Sequence, residues 1–218
     1  MNRGRLITIE GIDGAGKTTL ATGLLDALQA RGLDVVLLRE PGGVPAAERI
    51  RELVIDPGLH VTARTEALLY AAARAQLVEE ALEPLLREGK WVLLDRFIDS
   101  SLAYQGGGRE LGIDAVRAIN EFAIRTAWPD RTLLLMVDPE VGRIRSLSRL
   151  GEPDRLERER DDFFDRTVAG YVELWAQDPE RIRKIDGAQP PDEVLAAALD
   201  ELGDLIPPPP TRSRTYSE

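Results

Sequence analysis

Residues 6–18 read LITIEGIDGAGKT, an apolar run closed by Glu10 that passes at once into a glycine-rich loop ending in Lys17 and Thr18. The loop residues Gly11, Ile12, Asp13, Gly14, Ala15, Gly16, Lys17 and Thr18 satisfy G-x-x-x-x-G-K-[ST] in the context that pattern requires, after a strand and before a helix. Gly14 and Gly16 can adopt positive φ, so successive N–H groups turn onto phosphate oxygens while the helix N-terminus adds its partial positive charge. Lys17 then reaches the β- and γ-phosphates and the Thr18 hydroxyl reaches Mg2+. A chance glycine-rich turn is the bland alternative, but the chain has three lysines in all and one falls at the required offset. The expected ligand is a nucleoside triphosphate.

Outward from this loop, short apolar runs alternate with longer helical patterns, the signature of βαβ units and a parallel sheet covered on both faces. The expected strands are Leu6–Ile9, Val35–Leu38, Trp91–Leu94, Thr132–Val137 and a weaker Ile182–Ile185, which mixes in Arg183 and Lys184 and reads as an edge. Leu20, Leu24, Leu25 and Leu28 recur at helical spacing, and Gly32 sits where a C-terminal cap belongs. A long helix fits residues 64–88, ending near Pro84 and Gly89, and a final one fits 191–205. Between Pro139 and Thr167 seven Arg and eight Asp or Glu crowd a stretch broken by Gly151 and Pro153, read either as a mobile flap flanked by helices or as a solvated helical hairpin. Pro207–Pro210 open a tail with too little apolar content to pack.

Composition removes several classes of chemistry. With no Cys and a single His, His60, thiol chemistry, disulfides and any site needing two imidazoles are excluded. A net charge of −10 disfavours duplex nucleic acid, whose binding rests on neutralising phosphates, but leaves small anionic substrates open where basic residues cluster. The N-terminal apolar run is too short for a secretory signal and no stretch is long enough to span a membrane, so the cytoplasm is the expected compartment.

A parallel sheet binds ligands at the carboxyl ends of its strands. After the third expected strand come Asp95, suited to ordering the waters of Mg2+, and Arg96, suited to gripping phosphate. After the second come Arg39, Glu40, Pro41, Gly42 and Gly43, and after the fourth comes Asp138, which reads as a helix N-cap ahead of Pro139. Asp13 is repelled by a triphosphate and should point elsewhere, toward a second substrate's hydroxyl or the metal's water shell. Tyr70 and Arg74, four apart, share a helix face and could hold a flat base, although such an aromatic is also ordinary core.

Six blocks follow one another along the chain: GIDGAGKT, LREPGG, LLYAAARAQLVEE, LLDRFIDSSLAYQGGGRELG, EPDRLERERDDFFDR and KIDGAQP. Together they closely resemble the bacterial thymidylate kinases over residues 5 to about 205. The resemblance implies a five-stranded parallel sheet wrapped by helices, a homodimer, and transfer of the γ-phosphoryl of ATP to dTMP with Mg2+, giving dTDP and ADP. Residues 1–206 would form the kinase domain with a lid at about 140–166, and 207–218 a disordered tail. By position, Gly11–Thr18 would hold the donor phosphates, and Arg145 would lie beside the donor adenine with Ala188 and Gln189 opposite. Asp13 would stand near the deoxyribose 3′-hydroxyl, Arg96 would hold the acceptor phosphate, and Asp95 and Thr18 would serve the metal. Arg74 would address the thymine edge, Tyr104 would crowd the sugar's 2′ position, and Ser101 and Gln105 would line the same pocket. Tyr70 stands where the family usually has Phe, so its hydroxyl needs a partner or an opening to water. Gly14 occupies the loop position that a catalytic arginine can take, which passes that charge to the lid, with Arg149 and Arg155 as candidates.

An anionic acceptor oxygen needs no general base, which suits a chain with one histidine. The rival readings are another pyrimidine monophosphate kinase, an ATP-binding module without turnover, and a GTP-dependent switch. The last reads guanine through N/T-K-x-D, whereas the only K-x-D here, Lys184–Asp186, follows Arg183.

Overall fold

The five apolar runs become strands within one residue of their expected limits: β1 (Leu6–Glu10), β2 (Val35–Arg39), β3 (Trp91–Asp95), β4 (Arg131–Met136) and β5 (Ile182–Asp186). The structure is a computed structural model that describes residues 3–147, 155–156 and 159–207. All strand pairs are parallel and their order is β2-β3-β1-β4-β5. Every residue of the central strand β1 is buried, as a strand covered on both faces must be. β5 is indeed an edge, burying Ile182 and Ile185 while Lys184 stays exposed. Register brings Asp95 opposite both Ile9 and Arg39, so the carboxyl ends of three strands finish level.

The helices cover both faces. Helix α1 (Lys17–Ala30) buries Leu20, Ala21, Leu24 and Leu28, each leucine contributing roughly 1.5–3 kcal/mol by leaving water. Three helices have no counterpart in the sequence expectations, α2 (Pro45–Ile55), the short α5 (Ile98–Ser101) and α6 (Ile113–Ile124). The long helix expected at 64–88 is α3 (Ala63–Leu77), continued by a π-helical stretch at Val78–Leu82 into α4 (Glu83–Arg87). Pro84 does not end it: the wider turns just ahead of the proline accommodate the ring and the missing donor. A second π-helix, Leu102–Gly108, prolongs the short α5 (Ile98–Ser101) before α6 begins.

The charge-dense stretch is bounded by α7 (Pro139–Leu147) and α8 (Asp161–Gln177). Asp138 Oδ1 accepts from the Glu140 N–H at 2.8 Å, which is the expected N-cap. The last helix, α9 (Pro191–Glu201), stops earlier than expected because its final turn tightens, Leu202 N–H bonding to Leu199 and Gly203 N–H to Asp200. Arg149, and the tail beyond Pro207, lie outside the described residues. Among the described residues no helix is long and apolar enough to cross a membrane.

Candidate active site

The phosphate loop joins β1 to α1 with Gly11, Gly14 and Gly16 all at positive φ. Gly16, at φ 98°, is the N-cap of α1, and no side chain caps that end, so first-turn N–H groups are left for an anion. Lys17, 7% exposed, donates to the Ile12 carbonyl at 2.9 Å and stands 4.0 Å from Asp13. Burial and the Arg96 charge pull its ammonium down to about 8; a phosphate beside it acts the opposite way. Thr18 Oγ1 donates to Asp95 Oδ2 at 3.0 Å, which brings together the hydroxyl and carboxylate expected at the metal. Among the described residues no cluster of three or more acidic, His or Cys side chains could hold a metal ion alone. The donor set therefore fits a hydrated hard cation that takes its remaining ligands from phosphate and water.

Beside the loop opens a cavity walled by Asp13, Tyr70, Arg74, Arg96, Ser101, Tyr104 and Gln105, seven residues expected at the site from four separate places in the sequence. Arg96 sits where β3 ends and donates to the Gly11 carbonyl at 3.1 Å, Ser100 Oγ at 3.2 Å, Tyr104 Oη at 3.3 Å and Asp13 Oδ1 at 2.6 Å. Asp13 thus turns away from the triphosphate cradle and into this cavity. Burial would raise its pKa, but the Arg96 and Lys17 charges win and hold the carboxyl at about 2, ionised at any neutral pH. Tyr104 donates to Asp13 Oδ2 at 3.3 Å, and burial keeps its phenol protonated far above the ordinary range.

Beneath Arg96 lies a buried polar network. Glu10 accepts from the Phe97 N–H at 2.8 Å, from Ser100 Oγ at 2.5 Å and from the Tyr171 hydroxyl at 3.0 Å. Burial, with the Asp99 charge, pushes its carboxyl well above the usual carboxylate range.

Arg74, 1% exposed, spends all five of its N–H donors on protein: Nε and Nη2 on Glu40, Nη1 on Ser101 and Asn120, and Nη2 on the Phe97 carbonyl. In this arrangement a base edge reaches its guanidinium only by exchange with one of those partners. Glu40 was legible as a polar strand end; Arg51 and Leu156, which also wall the cavity, were not. Arg51 comes from the unread helix α2, and Leu156 from a stretch too charged to suggest burial.

On the donor side Arg145 reaches the Gly187 carbonyl at 2.8 Å, next to Ala188 and Gln189, whose backbone and side-chain N–H groups donate to Asp186 at 2.9 and 2.8 Å. A Cβ on Gly187 would stand 3.0 Å from the Ala15 carbonyl, so this turn abuts the phosphate loop. Of the two lid candidates, Arg155 is the one described: Nη2 meets Glu66 at 2.6 Å and Nε the Val54 carbonyl at 2.9 Å.

A parallel sheet of this order, a phosphate cradle on its first strand and a second cationic cavity facing that cradle together define a P-loop nucleoside monophosphate kinase. Known proteins narrow this. The family model described as thymidylate kinase matches residues 9–198. The thymidylate kinase of Alkalilimnicola ehrlichii is 45% identical over 207 residues, covering 94% of this chain and 95% of that protein. That of Halalkalibacterium halodurans is 48% identical over 203 residues, covering 91% and 96%, and that of Bordetella pertussis 45% over 204, covering 94% and 97%. The chain belongs to the thymidylate kinase family.

Proposed function

We propose that the protein transfers the γ-phosphoryl of ATP to dTMP, giving dTDP and ADP, in the cytoplasm and as a homodimer. The observation that carries this reading is the cavity in which Asp13, Arg96 and Tyr104 meet Tyr70 and Arg74 beside the phosphate loop. It offers a cation for a monophosphate at one end and a ring and a guanidinium for a base at the other. Lys17 and the free N–H groups of α1 hold the donor phosphates. Arg96 holds the acceptor phosphate, and the ionised Asp13 accepts from the sugar's 3′-hydroxyl while steadying Arg96. The Tyr104 ring fills the space a 2′-hydroxyl would need. Arg74 meets the base by exchanging one of its present partners, with Tyr70, Ser101 and Gln105 around it, and Arg145 and the turn at Ala188 and Gln189 take the adenine.

Thr18 and Asp95 would hold Mg2+, which supplies charge neutralisation on the β- and γ-phosphate oxygens. The acceptor oxygen is already anionic, so the protein's work is alignment of two polyanions and cancellation of their repulsion. With Arg155 bound to Glu66, the remaining lid cation from the two candidates is Arg149. A turnover assay across the nucleoside monophosphates, with ATP or GTP as donor, tests the reading. Phosphorylation of dTMP well ahead of UMP, CMP and dCMP is expected. A preference for another monophosphate would reassign the acceptor, and no turnover with any would leave only a nucleotide-binding module.

A further inference from the structure

Glu66 lies on α3 two turns before Arg74, and Glu66, Tyr70 and Arg74, spaced by four, share one helix face. Its carboxylate is fully buried and accepts four hydrogen bonds: from Gln105 Nε2 at 2.8 Å, Arg109 Nε at 3.2 Å, Arg109 Nη2 at 3.0 Å and Arg155 Nη2 at 2.6 Å. Arg155 is held a second time by α2, its N–H bonding to the Ile55 carbonyl at 3.3 Å and its Nε to the Val54 carbonyl at 2.9 Å. Arg109 extends the cluster to Glu159, 2.6 Å away, and lies over the Phe163 ring. Two guanidinium groups and two carboxylates thus balance around Glu66, whose own carboxylate is closed to water while its partners stay partly exposed. The residue after Arg155 is Leu156, 8% exposed, which forms part of the wall of the cavity that also holds Tyr70 and Arg74.

We propose that Glu66 is a positioning residue of the acceptor site: by fixing Arg155 it seats Leu156 against the nucleoside end of the cavity, and by fixing Gln105 it orients that side chain in the same wall. The inference rests on the acceptor reading given above and deepens it. Arg155 and Leu156, although they come from the charge-dense stretch, then serve acceptor binding and not the phosphate being transferred. A buried carboxylate between two arginines has few alternatives to this geometry, because withdrawing either cation leaves charge uncompensated away from water.

Removing Glu66 would strand two guanidinium groups and can cost the fold, so the test is made on the other side of the contact. Arg155→Ala, Arg155→Lys and Leu156→Ala in the full-length chain are compared with wild type by steady-state kinetics, and by calorimetry with dTMP alone. Leu156→Ala and Arg155→Ala are expected to raise both KM and Kd for dTMP by about tenfold, the scale of losing a few apolar groups from a pocket. KM for ATP should move far less, and Arg155→Lys should recover part of the loss. A fall in kcat for Arg155→Ala at an unchanged Kd for dTMP would overturn the inference in favour of a catalytic arginine. Equal effects on both substrates, or none, would overturn it too. If wild type itself neither binds nor phosphorylates dTMP, the acceptor reading fails; if wild type does both and the variants match it, only the role of Glu66 fails.

Discussion

The backbone at Arg96 is left-handed, φ 69°, a conformation that costs a non-glycine residue about 1 kcal/mol or more and persists where surroundings over-determine it. Here the surroundings are plain: its N–H bonds to the Ile9 carbonyl at 3.0 Å, and its guanidinium is turned back across the sheet end to Gly11 and Asp13. The strain aims a cation into the cavity beside the phosphate loop, which we propose holds the acceptor, in place of the solvent. Arg96→Ala should therefore raise KM for dTMP by roughly two orders of magnitude, as loss of one half of a close, partly buried charge pair does, with a much smaller change for ATP. Equal weakening of both substrates would contradict the assignment. The same variant removes the main charge holding Asp13 at about 2, so the Asp13 carboxyl should titrate at higher pH.

Among the elements, α7 packs tightly against the phosphate loop. A Cβ on Gly14 would stand 2.0 Å from the Gly142 carbonyl, and one on Gly142 2.8 Å from the Asp13 carbonyl and 2.9 Å from Ile12 Cδ1. Residue 14 accordingly has no room for a long cation while α7 sits where it does, which gives a steric reason for a loop without arginine. Gly14→Ala meets rigid backbone and must also hold φ 78°, a strain of about 1 kcal/mol or more. It is expected to raise KM for ATP and lower kcat more severely than Gly142→Ala, half of whose clash is with a movable side chain; the reverse order, measured by steady-state kinetics, would show that the contact does not shape the donor site. The elements themselves were legible to different degrees. The strands were, because continuous apolar runs between polar ends have few other readings. Helix α6 was not read despite its amphipathic face, and α2 carries only Ala47 and Val54 fully into the core, a pattern too sparse to stand out. The site was legible where one residue type has one use, as with Lys17 and Arg96. It was illegible where the role depends on partners from distant segments, as with Glu66, Arg155 and Leu156.

Over the whole molecule, three packed helices leave large apolar side chains in water: Leu53 on α2, Leu68 on α3 and Phe122 on α6, the last 86% exposed. Exposed apolar side chains on adjacent helices support our proposal of a homodimer, since a second copy can cover them about a twofold axis. Phe122→Asp should convert a dimer to a monomer in sedimentation while leaving the fold's circular dichroism intact; a wild-type monomer at micromolar concentration would remove the proposal. The π-helical stretch at Val78–Leu82 has its own consequence for how this chain tolerates change. On its near side Arg74 walls the cavity, its own Val78 and Leu82 are buried, and on its far side Leu86 plugs the interior. A π turn is an ordinary helix that has taken in one extra residue, so dropping one residue there would restore ordinary winding with the flanking faces close to their present orientation. The leucines would keep the interior, so a descendant of this sequence shortened by one position in that segment would still fold, where the same loss inside α1 would turn its buried face outward.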